Sequence, residues 1–87
     1  MKIKDGFILR KVGIQYVVAA TGKASEGFNG MMRLNETGAF AFRLLQEGIS
    51  EEALVRRVTE EYDVPPEAAQ RDLQAFLNKL KEADALV

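Results

Sequence analysis

The sequence predicts an α+β domain in which a three-stranded antiparallel sheet is followed by three helices. Three observations lead there. β-branched and aromatic residues gather in short runs before residue 35, apolar residues recur at helical spacing after it, and Gly48, Ser50 and the Pro65-Pro66 pair divide the second part into segments. The 87 residues, 47% of them hydrophobic, are enough for one domain, residues 1–87, with one modest core. A chain of this size buries only about 60% of its unfolded surface, which leaves little material for a deep catalytic pocket.

Phe7 to Val12 and Ile14 to Ala20 are the first two β-favouring runs, and Gly13 between them predicts a tight hairpin. Thr21 to Gly27 reads as a solvated loop leading to a third strand, Phe28 to Leu34. Sequential strands with short links most simply form a meander, and in that order the third strand is an edge. Alternation sets Phe28, Gly30, Met32 and Leu34 on one side, mainly towards the core. Asn29, Met31 and Arg33 take the other side, with Met31 and Arg33 the more available to a partner.

Asn35 is placed to cap the first helix, and Glu36 puts a carboxylate in its first turn, where the helix dipole favours negative charge. Phe40, Ala41, Leu44 and Leu45 form its stripe, while Phe42 lies off it. The helix is therefore apolar around most of its circumference, as a sandwiched helix must be. Gly48 ends it and Ser50 caps the second helix, Glu51 to Tyr62, whose stripe is Leu54, Val55, Val58 and Tyr62. Asp63-Val64-Pro65-Pro66 forces a break, with Pro66 suited to the first turn of the last helix. That helix runs to about Glu82, with Ala69, Leu73, Phe76, Leu77 and Leu80 on its apolar face. Three basic strands followed by three acidic helices is the element order of a winged-helix-like domain.

The composition excludes several chemistries. The sequence has no cysteine and no histidine, which removes disulfides, thiol nucleophiles, imidazole bases and nearly every transition-metal site. Glu51-Glu52 and Glu60-Glu61 are neighbours in sequence and do not face each other on a helix, so neither pair is an acid/base couple. No cofactor is expected and the domain reads as non-catalytic. No long apolar span or signal-peptide pattern occurs, and a cytoplasmic protein without membrane contact is the expectation.

Net charge is −1, but residues 1–34 hold six basic against two acidic residues and residues 35–87 six against eleven. A helix presented to DNA needs a basic field around it. The last helix offers Arg71, Gln74, Asn78, Lys79 and Lys81, yet Glu67, Asp72, Glu82 and Asp84 offset them. DNA binding by a winged-helix regulator is thus the alternative reading, and no nucleic acid partner is expected. A homodimer paired through the same edge strand is a third.

The leading reading comes from the edge itself. An unpaired strand edge offers free N–H and C=O groups to another extended chain. Phe28 to Leu34 carries a single charge, Arg33, and Gly30 allows close backbone approach. A disordered peptide added beside this strand would set its side chains into a groove against the last helix. The flexible thioethers of Met31 and Met32 suit such a groove. Phe76, Leu77 and Leu80 are its apolar candidates, with the core as their other possible destination, and Arg71 and Lys79 are candidates for pairing with acidic peptide residues.

Leu34-Asn35-Glu36-Thr37-Gly38-Ala39, followed by Phe42 and Leu44-Leu45, resembles the LNETGA-type signature of the PqqD family. Leu45-Gln46-Glu47-Gly48-Ile49-Ser50 is similar to the family's turn between helices, Tyr62 to its tyrosine closing the second helix, and Asp72 to Leu80 to its third helix. Phe42 stands where tryptophan is common, Ser50 where threonine is, and Ala83-Asp84-Ala85 where a glycine is usual. The resemblance implies a RiPP recognition element: a peptide chaperone in natural-product biosynthesis. Such a domain binds the leader segment of a ribosomally made precursor peptide at the same edge and groove, and presents it to a maturation enzyme, often a radical SAM protein.

Overall fold

The computed structural model describes residues 1–22 and 31–87. Strand β1 (Phe7–Val12) pairs antiparallel with β2 (Gln15–Ala20), and β2 with β3 (Met31–Leu34), in the order β1-β2-β3. Helices α1 (Glu36–Glu47), α2 (Glu51–Tyr62) and α3 (Pro66–Glu82) follow. The predicted fold class is the observed one. Phe28, Asn29 and Gly30, predicted to begin the third strand, lie outside the described residues, as does the loop from Lys23 to Gly27.

Register explains one departure in the hairpin. Val12 pairs with Gln15, so Ile14 is a turn residue rather than the first residue of β2, and it is 94% exposed. Gly13 precedes it at φ +63, the positive value that a glycine-first two-residue turn requires.

The helix boundaries follow their caps. The side-chain oxygen of Asn35 accepts from the Gly38 amide at 2.7 Å, and Ser50 Oγ accepts from the Ala53 amide at 3.2 Å. Gly48 closes α1 with its N–H directed to the carbonyls of Leu44 and Leu45, and Pro66 opens α3.

The helices cover one face of the sheet. Val18, Phe42, Leu45, Leu54, Val58, Leu77 and Leu80 are essentially inaccessible to solvent, and each such side chain contributes about 1.5–3 kcal/mol by burial. Within α1 the expected order of burial is inverted. Phe42 lies in the core and Phe40 is half-buried, with the Tyr62 ring edge-on at 5.5 Å and the Arg57 guanidinium 5.7 Å from its centroid. A helix flanked by both a sheet and other helices buries more than one stripe, and the second flank takes Phe42.

The terminal segments add a seam that no periodicity announces. Ile3 bridges Leu86, Lys4 N–H donates to the Ala85 carbonyl at 2.7 Å, and Ile3 N–H donates to the Leu45 carbonyl at 3.0 Å. Asp84, within the Ala83-Asp84-Ala85 segment where the resemblance leads to expecting a glycine, adopts φ +55 and its carboxylate meets Lys4 Nζ at 2.8 Å. Aspartate is among the few residues that tolerate this left-handed conformation. The C-terminal turn is thereby made without glycine.

Candidate functional site

Among the described residues β3 pairs on one side only, with β2, so its outer edge is free. Alternate residues of such a strand turn both N–H and C=O outward, which gives roughly two of its residues to a pairing partner. Side-chain alternation follows the expected pattern: Met31 is 70% exposed and Arg33 is exposed, while Met32 and Leu34 pack against the core.

The edge leads into a groove of about 330 Å³. Arg33 and Leu34 form its strand wall, and Ala69, Asp72, Leu73, Phe76 and Lys79 form the α3 wall. Asn35, Thr37 and Gly38, in the cap and first turn of α1, close one end, with Val58, Tyr62 and Val64 beside them. Asp72, Phe76 and Lys79 are spaced i, i+4, i+7 and so stand in one row along α3. The floor is apolar while Lys79 and Asp72 supply charge, and Arg33 bounds the groove from the strand. Among the described residues none of the three has an ion-pair partner.

Tyr62 joins groove to core. Its hydroxyl donates to the Glu36 carbonyl at 3.5 Å, near the limit of a hydrogen bond. Partial burial raises the phenol pKa above its ordinary value of 10.0, and the carboxylates of Glu36 and Glu61 raise it further. The hydroxyl is therefore a proton donor at neutral pH.

Of the sequence candidates, the structure brings Arg33, Leu34, Phe76 and Lys79 to the groove and Met31 to the open edge. Leu77 and Leu80 belong elsewhere: at 1% and 0% exposure they are core residues, because their side of α3 faces the other helices and the sheet. Arg71 is exposed and outside the groove lining, on the polar side of α3. Met32 packs on the core, and Phe28, Asn29 and Gly30 lie outside the described residues. Sequence reasoning missed Asp72, whose spacing to Phe76 and Lys79 was a usable signal. It also missed Tyr62 and Val64 as lining residues, which only the packing of α2 against α3 brings there.

The family model described as coenzyme PQQ synthesis protein D (PqqD) matches residues 15–86. Two solved structures share the fold closely. TbiB1 in complex with the TbiA(beta) leader peptide has 27% identity and a TM-score of 0.76, over 99% of this chain and 94% of that one. Lasso peptide synthetase B1 complexed with the leader peptide has 25% identity and a TM-score of 0.70, over 93% of this chain and 89% of that one. No curated protein matches the chain significantly.

Proposed function

This chain belongs to the PqqD family, and on that premise we propose that it binds the leader segment of a ribosomally made precursor peptide and presents it to a maturation enzyme. The leader adds a strand beside β3 and sets alternate side chains into the groove between β3 and α3. The observation that carries this reading is the outer edge of β3, free among the described residues, running directly into an apolar groove whose charges are unpaired among those residues. Both solved neighbours are held with leader peptides, which supports the same class of ligand here.

The division of labour follows from physics. Backbone pairing is largely indifferent to sequence, so affinity comes from the strand and selection from the groove. Lys79 attracts carboxylates on the leader, Asp72 sets a limit on where they sit, and Leu34, Leu73 and Phe76 receive an apolar side chain. The domain is itself non-catalytic and uses no cofactor, and the enzyme it serves is of the radical SAM type and works in the cytoplasm. The lack of histidine and cysteine supports a binding role. Among the described residues no helix is long and apolar enough to cross a membrane.

The DNA-binding alternative finds no support in the family match or in either neighbour. Its would-be recognition helix, α3, exposes Glu67, Asp72 and Glu82 beside Arg71, Lys79 and Lys81, so it presents no basic field to DNA.

Titrating the protein into a fluorescein-labelled synthetic leader, taken from a precursor reading frame found beside its gene, tests the proposal. Saturable binding with Kd on the order of 1 μM, lost with a scrambled leader, is expected. Equal binding of the scrambled peptide would overturn it.

A further inference from the structure

The sheet has a second face, turned away from the helices. Register places Ile8, Ala19 and Met31 in one row across the three strands and Arg10, Val17 and Arg33 in the next. Val12, 61% exposed, continues this face beyond Arg10 on β1, opposite Gln15. Among the described residues the face therefore has an apolar centre, two guanidinium groups and no carboxylate. Leu9, Ala20, Met32 and Leu34, of opposite parity, pack on the core, whereas Ile8, Val17 and Ala19 do not. No element among the described residues lies over it.

We propose that this bare sheet face docks the enzyme that receives the leader, on a surface with an apolar ridge flanked by carboxylates. The proposal rests on the leader-binding reading, which supplies the enzyme. Three observations select this occupant. The paired arginines with no intervening acid call for a partner of opposite charge. A second copy stacked face to face would set arginines against arginines, so self-association is disfavoured. The face also shares β3 with the proposed leader site, because Met31 stands on the strand with the open edge and Arg33 bounds the groove. An enzyme on this face thus sits next to the strand that holds its substrate without covering the edge.

The face measures roughly 250 Å² in plan, well below the area of a permanent interface. A short-lived complex is the outcome, as a hand-over step requires.

The test uses the full chain, a purified peptide-modifying enzyme of the radical SAM type found encoded near its gene, and the labelled leader. Arg10→Glu/Val12→Glu alters the face on β1, away from the groove. Affinity for the enzyme is expected to fall at least tenfold while affinity for the leader stays within twofold. Methyl spectra of unsubstituted protein make the test independent of the variant's folding. Adding unlabelled enzyme is expected to broaden Ile8 and Val17 before the methyls of α2. Unchanged enzyme affinity in the double variant, or broadening confined to the helices, would overturn the proposal. So would sedimentation of the free protein as a dimer that the double variant abolishes. If the enzyme binds this face but no leader binds at all, the docking surface stands and the leader-binding reading fails.

Discussion

The Gly38 amide donates to the side-chain oxygen of Asn35 at 2.7 Å, and this bond fastens the first turn of α1 to the end of β3 at the rim of the groove. The two residues are matched by space as well as by bonding. A Cβ on residue 38 would stand 3.2 Å from that oxygen and 3.3 Å from Leu34 Cβ. The asparagine and the glycine of the family signature are thus parts of one junction that aims the edge strand at the groove.

Asn35→Ala removes the cap and should lower stability by about 1 kcal/mol, read from the midpoint of denaturant unfolding. Asn35→Asp keeps an acceptor and should keep most of that stability.

Gly38→Ala should lower the melting temperature even though alanine is the better helix former by about 1 kcal/mol. Leu34 Cβ is held by the strand and cannot retreat cheaply, and the cap oxygen is displaced. A rise in melting temperature would show that the junction is looser than these distances imply.

Much of this was legible in advance. Asn35, Ser50, Gly48 and Pro66 mark helix ends through local chemistry, which acts within a few residues and can be read from a short window. The apolar face of α3 was equally plain, because five regularly spaced side chains specify it. What local pattern does not carry is which of several apolar faces meets which neighbour. Phe42 rather than Phe40 is the core residue of α1, and Leu77 and Leu80 rather than Phe76 turn fully inward, because three elements compete for those surfaces. The seam between Met1–Lys4 and Ala85–Val87 involves single pairings more than eighty residues apart, and nothing periodic announces it.

Core and groove assignments on α3 separate by mutation. Leu80→Ala should cost about 2–5 kcal/mol while the folded fraction keeps its leader affinity. Lys79→Glu should change stability by less than about 0.5 kcal/mol yet weaken leader binding several-fold. Titration and denaturation of both variants check the two halves of this contrast.

The left-handed turn at Asp84 predicts unequal effects for two small replacements. Asp84→Ala loses the Lys4 ion pair and places a Cβ without local polar support at φ +55, and should cost about 1–2 kcal/mol. Asp84→Gly relieves the backbone and should be near neutral, since the exposed ion pair it gives up is worth little.

Tyr62 sets an alkaline limit. Its folded-state pKa is raised, so the unfolded chain releases this proton first as pH increases. The contribution is fully present below the ordinary phenol pKa of 10.0 and is lost as pH rises through the folded-state value. Thermal melts at pH 8 and pH 10.5 should show a smaller alkaline loss for Tyr62→Phe than for the unsubstituted protein.

The central claim is that a foreign strand adds to β3. The most direct measurement is an isotope-filtered NOE spectrum of labelled protein with unlabelled leader peptide. Cross-strand contacts between leader α-protons and Met31 to Leu34, together with leader side-chain contacts to Phe76, are the predicted result. Leader contacts confined to β1 or to the exposed faces of α1 and α2, with none to β3, would contradict it.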